Sequence, residues 1–586
     1  MATAILKPSA GYSVNNSELV RLLVSVSQLS VINEMKKTLS RALCLALTAG
    51  IAFNPSINAG VVSGRIMANG NGVANIPVSD GYSIVTTDAD GRYSIETDKK
   101  LGYIFYTLPA GYEPAPGNAP CEPGIWAHLN TAEPAAAETH DFEIFPTENK
   151  KFDLVVVTDI HLANRADDIE QFKAGFMPRI KEYVAQSDVP VYTVALGDLS
   201  WDRYWYSNDF GPADFMATLR EVEYPTLFFP VTGNHDNDPA IPHGPDTDFI
   251  ASAPFRTTMA PSYYSFNLGD AHIVVLDDIV YKNELNPKRK YAKGIVGDRN
   301  YDRYVTDAQL DWLRRDLELV KDKSTPLVIC MHIPAWRLSI DGNFTAYPSQ
   351  GKDGEASIKL AETVKDFEKV RFLTGHTHYN NHVEAPGYPN IHEDNVSALC
   401  CIFWNTKAVG GRDICSDGSP AGFKVYSFDG KKFTSRFEGV AECDRKPFRI
   451  YDVNTVKNKY ATDSTYIKYI EKYPNRTDFS KFDDNMVLVN IFDYEPAGTV
   501  TMSEDGRMLE VERITADDPM LIAAYPIELF RSLGKAPTSD AVRVNNHMFI
   551  VKARTSHLPV TVTYTDAYGR STTETLERPG RFDTRM

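Results

Sequence analysis

Phe152-Asp153-Leu154-Val155-Val156-Val157-Thr158-Asp159-Ile160-His161 is the stretch on which the reading of the fold turns. Phe152–Thr158 is an almost unbroken apolar run, the pattern of a strand covered on both faces. It breaks into Asp159 and His161, two metal-ligand side chains one residue apart, which an extended loop aims at one place.

The same grammar recurs down the chain. Val191–Leu196 runs into Gly197-Asp198, and Thr226–Thr232 into Gly233-Asn234-His235-Asp236. Leu327–Met331 runs into His332, and Val370–Thr374 into Gly375-His376-Thr377-His378. Helical patterns lie between these runs. In Thr306–Val320, Leu310, Leu313, Leu317 and Val320 share a face, and Thr306 with Gln309 forms a capping box. Apolar strands alternating with helices predict an α/β fold. In such sheets the ligand crevice lies at the carboxyl ends of the strands, so the five loops are expected to converge. Another strand, His272–Leu276, ends in Asp277 and Asp278, read as loop-orienting carboxylates. The residue types carry the chemistry. A carboxylate can bridge two cations, imidazole and amide ligands leave positions open for water, and glycines let the backbone turn sharply beside the ions. Two metals roughly 3.5–4 Å apart can clamp a phosphoryl group and activate a hydroxide between them.

The motifs DxH, GD, GNHD, a lone His and GHTH, in that order, resemble the calcineurin-like metallophosphoesterase superfamily, from Lys150 to about Val440. The resemblance implies a central β-sandwich flanked by helices. It places Asp159, His161 and His378 on a first metal, Asn234, His332 and His376 on a second, and Asp198 between them. The two ions would be Mn, Fe, Zn or Co. His235 resembles the non-ligand histidine that stabilises the transition state or protonates the leaving oxygen, and Asp236 is the candidate to orient it. His161 departs from the purple acid phosphatase branch, which has a Tyr ligand and no DxH. Asp198-Leu199-Ser200-Trp201-Asp202-Arg203 is one residue longer than the GDxxDR element of protein Ser/Thr phosphatases, so the roles of its Asp and Arg do not transfer. The function implied is hydrolysis of a phosphate mono- or diester by a metal-bridging hydroxide. A nucleotidase or sugar-phosphate monoesterase, and a non-catalytic envelope-binding protein, are the alternatives.

Around this unit the character of the sequence changes. Gly60 to Thr147 alternates in short runs between Gly/Asn/Asp turns, such as Asn69-Gly70-Asn71-Gly72. It resembles a transthyretin-like or carboxypeptidase-regulatory β-sandwich, followed by a Pro/Ala-rich connector from Pro109 to Ala137. From about Ala441 to Met586 the helical pattern largely disappears, predicting a C-terminal β-rich domain. The three-module arrangement resembles exported bacterial members of the superfamily. Phe403-Trp404-Asn405 and Asp417-Gly418-Ser419-Pro420 also resemble them and are expected to form a loop near the metals. Met35-Lys36-Lys37 before the apolar Ala42–Phe53 reads as a signal peptide ending near Ala59-Gly60, with residues 1–34 upstream of the start. This predicts export to the periplasm, outer surface or medium, without a transmembrane anchor. A formal net charge of −16 with no basic run argues against a duplex nucleic-acid partner and leaves a small or envelope-derived phosphoester as substrate. Seven cysteines, none in CxxC spacing, predict neither a disulfide scaffold nor a zinc-cysteine site. Pairings among Cys400, Cys401, Cys415 and Cys443 stay open.

Overall fold

Six of the seven residues of Lys151–Val157 (β1) are buried, as their apolar character requires of a strand at the middle of a sheet. The computed structural model describes residues 59–338, 344–346, 354–405, 413–528, 531, 542–543 and 545–583. The signal-peptide reading of residues 35–59 falls almost wholly outside them. Residues 60–586 form one compact unit.

The centre of that unit is a two-sheet sandwich. On one side, β1 pairs in parallel with Val191–Ala195 (β2), which pairs in parallel with Phe228–Pro230 (β3). On β1's other edge lies antiparallel Gly422–Asp429 (β10), followed by Lys432–Gly439 (β11). The second sheet begins with the hairpin Tyr264–Leu268 (β4) and Ala271–Val275 (β5). It continues in parallel through Leu327–Cys330 (β6), Val370–Thr374 (β7) and Ile391–Asn395 (β9), and closes on antiparallel Asn381–Glu384 (β8). The parallel strands of both sheets discharge their carboxyl ends at the same edge of the sandwich. The helix Asp307–Leu319 begins at Thr306, whose side chain accepts from the Gln309 amide as expected. Gln309 does not complete the box. Its side chain instead donates to Asp277 O (2.8 Å) and accepts from Asp277 N (3.0 Å), tying the helix to the end of β5.

In the N-terminal module, Gly60–Ala68 pairs antiparallel with Arg92–Thr97 and parallel with Phe142–Pro146. A second sheet holds Ile84–Thr86, Pro77–Ser79, Tyr103–Tyr106 and Trp126–His128. The connector from Pro109 to Ala137 is therefore partly sheet. Tyr112–Pro114 and Trp126–His128 lie within it and pair with their neighbours, because Cys121, Ile125 and Leu129 supply apolar side chains that bury. One apolar core runs from Val62 of this module to Phe428 of the sandwich.

The C-terminal module holds two four-stranded sheets, one built on Met486–Ile491 and Asn545–Lys552, the other on Thr499–Glu504 and Val560–Thr565. It is less purely β than its sequence pattern predicts. Val453–Ala461 and Ser464–Lys472 are helices, capped by Asp452 and Asp463. Their buried stripe is Val453, Val456, Tyr460, Tyr466 and Tyr469, in which tyrosines take the place of the aliphatic residues that usually reveal a helix.

Candidate metal centre

Four of the seven expected ligands leave the first sheet and three leave the second. Asp159 and His161 follow β1, Asp198 follows β2 and Asn234 follows β3, while His332 follows β6 and His376 and His378 follow β7. The first two loops are zipped together, with Asp159 N–H donating to Gly197 O (3.0 Å) and His161 N–H to Asp198 O (2.9 Å). Asp159, His161, Asp198, His376 and His378 all have φ between 50° and 69°. Left-handed backbone costs most residues about 1 kcal/mol or more, and persists at sites where the surroundings impose it. Two glycines allow the approach. A Cβ on Gly375 would lie 1.9 Å from Thr158 Oγ1 and 2.8 Å from Asp159 Oδ2. One on Gly233 would lie 2.0 Å from Asp198 N.

Asp159, Asp198, His332 and His378 each spend one polar atom on the scaffold and aim another inward. Asp159 Oδ2 accepts from Thr158 Oγ1 (2.7 Å) and His376 N–H (2.8 Å). Its Oδ1 faces His378 Nε2 (3.2 Å) and His161 Nε2 (3.6 Å). Asp198 Oδ1 accepts from His235 N–H (2.7 Å). Its Oδ2 stands between His161 Nε2 (3.5 Å) and His332 Nε2 (3.2 Å). His332 Nδ1–H donates to Leu196 O (2.7 Å), which turns its Nε2 toward Asn234 Oδ1 (3.1 Å) and His376 Nδ1 (3.2 Å). His378 Nδ1–H donates to Cys401 O (2.9 Å).

This donor set fits cations. Asp159 Oδ1 and both ring nitrogens of His161 are buried with no hydrogen-bond partner, an expensive state for polar atoms unless a ligand takes their lone pairs. Asp159, His161 and Asp198 form one group of metal-binding character, and Asp198, His332 and His376 another, with Asp198 common to both. Burial holds the His161 imidazole down at about 4, and burial with the neighbouring His332 holds His376 at about 3, so both present neutral lone pairs. Burial opposes ionisation of Asp198, but the imidazoles of His332 and His235 outweigh it and keep the carboxylate well below its usual range.

The partner of His235 differs from the expected one. His235 Nδ1–H donates to Asp202 Oδ1 (2.8 Å), which also accepts from Arg299 Nη1 (2.6 Å). Asp236 lies one residue from His235 but faces the other way. It accepts from Gly233 N–H (3.0 Å), Leu199 N–H (3.1 Å) and Ser200 N–H (3.0 Å), fastening the Asp198 loop to the Asn234 loop. Adjacent side chains on an extended turn point apart, which is why chain proximity misled. Burial opposes the charge on His235, but Asp198 and Asp202 prevail and raise its pKa.

Other residues near the centre brace it. Asp278 Oδ2 accepts from Ile333 N–H (2.9 Å), the loop-orienting role expected of it. Glu393 accepts from Ala335 N–H (2.9 Å), Trp336 N–H (3.0 Å) and Thr374 Oγ1 (3.0 Å), holding the His332 loop to β7. Trp201 stacks on Phe403 (4.6 Å between ring centroids) and sits edge-on to His161 (5.3 Å), so it covers the His161 side of the ligand group. Phe403 lies beside the His161 and His378 rings, in the loop expected there, and Trp404 Nε1–H of the same loop donates to Ile160 O (2.8 Å). Asp417 Oδ2 accepts from Asn380 N–H (2.9 Å) just past His378, and Asp417 O accepts from Asn490 and Asn545 of the C-terminal module (3.1 and 2.6 Å). Arg203 lies over the Tyr204 ring and is not brought to the ligands. His382 pairs with Asp394 and Asp493 (2.7 Å each), a structural role.

The fold and site define a metallophosphoesterase. Family models match in three consecutive blocks: the N terminal of calcineurin-like phosphoesterase at residues 60–147, calcineurin-like phosphoesterase at 152–380, and the C terminal of calcineurin-like phosphoesterase at 393–571. The chain belongs to the calcineurin-like metallophosphoesterase superfamily, in the form that carries N- and C-terminal modules, and is a phosphoric ester hydrolase. The C-terminal match begins inside the sandwich, at β9. A search of curated proteins finds no match. Among solved structures, GAP50, the anchor in the inner membrane complex of Plasmodium, is 12% identical with a TM-score of 0.31, over 50% of this chain and 86% of that one. The 5'-nucleotidase from Candida albicans is 10% identical with a TM-score of 0.24, over 50% of this chain and 52% of that one.

Proposed function

We propose that the chain hydrolyses a small phosphate mono- or diester at a dinuclear centre, outside the cytoplasm. The observation that carries the mechanism is the single oxygen Asp198 Oδ2, set between His161 and His332, ligands of the two separate groups. Two cations so held would supply the Lewis acidity for the phosphoryl oxygens and would activate water as the nucleophile at neutral pH. Asp159, His161, Asp198 and His378 would hold the first, and Asp198, Asn234, His332 and His376 the second. His235 hands a proton from Nε2 to the departing oxygen, while Asp202, on Nδ1, fixes its tautomer and supports its charge. Arg299 holds Asp202 in place from the far side. Trp201 and Phe403 exclude water behind His161. Export rests on the signal-like run before Gly60.

The test is metal analysis of the purified chain coupled to a panel of phosphate mono- and diesters. Two ions per chain and turnover are expected. Asp198→Asn and His332→Ala should each abolish turnover without unfolding the flanking modules, as read by circular dichroism. Undiminished turnover in either variant with metal present would refute the assignment.

A further inference from the structure

The loop after β9 runs back along the end of β1. Leu399 N–H donates to Thr158 O (2.9 Å), and Cys400 N–H to Asp159 O (3.2 Å). The Cys401 carbonyl receives His378 Nδ1–H, and the Phe403 ring lies 5.1 Å from His161 and 4.8 Å from His378. The loop is thereby fixed against the first-metal side at several points, one of them Cys400, bonded to the backbone of the ligand Asp159.

Three cysteines of this region separate by where their sulfurs face. Cys401 and Cys415 bring their sulfurs within 3.5 Å of each other in a small apolar cluster with Ala421. Cys400 faces the ligands instead. Its Sγ and one ring nitrogen each from His161 and His378 all lie within 4.8 Å of one another. Cys400 is 1% exposed, and its sulfur makes a long hydrogen bond to Cys401 O, 3.7 Å, while also facing the His378 ring. Independently, His161 is buried with neither ring nitrogen hydrogen-bonded. Nitrogen ligands stand about 2.0–2.1 Å and thiolate ligands about 2.3 Å from a shared zinc ion, so donors on one cation lie up to about 4.4 Å apart, close to the 4.8 Å within which these three atoms fall.

From this geometry we propose that the Cys400 thiolate is a ligand of the first metal, beside His161 and His378, and makes that position selective for a thiophilic ion such as zinc. The inference rests on the metal-centre reading above. Sulfur joins as its proton leaves to solvent, so the thiol forms one metal–sulfur bond for one sulfur–proton bond broken, with no change of oxidation state. Thiolate ligands favour zinc and disfavour manganese and magnesium, whereas an all-nitrogen-and-oxygen site leaves that choice to supply. The consequence is an asymmetric centre, with a sulfur-bearing first position and a second position open to harder ions.

The test uses the full chain loaded with cobalt(II) to two ions, and separately with zinc. Cobalt-loaded protein should show a thiolate-to-cobalt charge-transfer band in the near ultraviolet. Cys400→Ser should lose it, and Cys415→Ser should keep it. Cys400→Ser should also release its first zinc more than about tenfold more readily and move its preference toward manganese. X-ray absorption of the zinc-loaded unaltered chain should show one sulfur scatterer per two zinc ions at about 2.3 Å, a reading independent of how any variant folds. Cobalt bound at two per chain without the charge-transfer band, or zinc with no sulfur scatterer, overturns the thiolate ligand and leaves the dinuclear centre standing. A band that survives in Cys400→Ser also overturns it. Failure to take up cobalt or zinc at all overturns both readings.

Discussion

Asp202→Asn isolates the part of the centre that acts on the leaving group. The Asp202 side chain is fully buried, and its Oδ1 meets both His235 Nδ1 at 2.8 Å and Arg299 Nη1 at 2.6 Å. Asparagine keeps the shape and one acceptor oxygen but removes the charge. A hydrogen bond to a charged partner contributes about 1.5–3 kcal/mol, and each 1.36 kcal/mol in a barrier is about tenfold in rate, so the loss in kcat should be roughly 10- to 100-fold. The assay compares an alkyl phosphodiester with a nitrophenyl one. An alkoxide needs His235's proton and should show the full loss. Nitrophenolate leaves without help, and its loss should fall within about tenfold. The pH profile supplies a second reading. Burial works against charge on His235, and the carboxylates of Asp198 and Asp202 raise its pKa in spite of that. A general acid works while protonated, so activity falls as pH rises through that pKa. Removing the Asp202 charge should move the alkaline limb of kcat to lower pH. Equal losses on both substrates, with the limb unmoved, would refute the proposed role of the Asp202–His235 pair.

Gly375→Ala should empty the first-metal side, because the new methyl would lie 1.9 Å from Thr158 Oγ1 and must displace Asp159. Metal analysis should show less than two ions per chain while circular dichroism stays native. Chelation should lower the melting temperature, since an ion present at about 100 times its dissociation constant stabilises the folded chain by about 2.7 kcal/mol; an unchanged melting curve after complete metal removal would contradict this. Away from the centre, burial and Lys424 pull the His382 imidazole down, but Asp493 and Asp394 outweigh them and hold it at about 9, against 6.5 in an unfolded chain. The protonated ring therefore adds stability that is complete below pH 6.5 and lost as pH rises through about 9, on the order of 1–3 kcal/mol. Denaturant titrations across that range should show the decline, and His382→Asn should flatten it.

The strands and their ligands were legible because burial and metal chemistry each leave a local mark. An apolar run followed by Asp, Asn or His needs no knowledge of anything distant. The supports of the ligands left no such mark. Arg299 and Glu393 reach the site from segments far along the chain, and Asp202 competes with the nearer Asp236 for the same expected role. Cys400 has no partner cysteine at ligand spacing, so the sequence left it among four cysteines whose pairing stayed open. The helices of Val453–Lys472 were hidden for another reason: their apolar stripe is made largely of tyrosine. The left-handed backbone of the ligands is equally silent, although Asp, Asn and His tolerate it better than most residues.

The division of ligands between two sheets has a mechanical consequence. The carboxyl ends of β2 and β6 meet directly where His332 Nδ1–H donates to Leu196 O. Ions held by Asp198 on one side and His332 on the other would act as rivets across the sandwich, joining segments far apart along the chain much as a long-loop cross-link does. The gentlest way for this molecule to open should be a parting of the sheets at their catalytic edge. Metal should slow amide exchange at the ends of β1, β2, β6 and β7 together, as one seam, while the outer strands of the flanking modules keep their own pace.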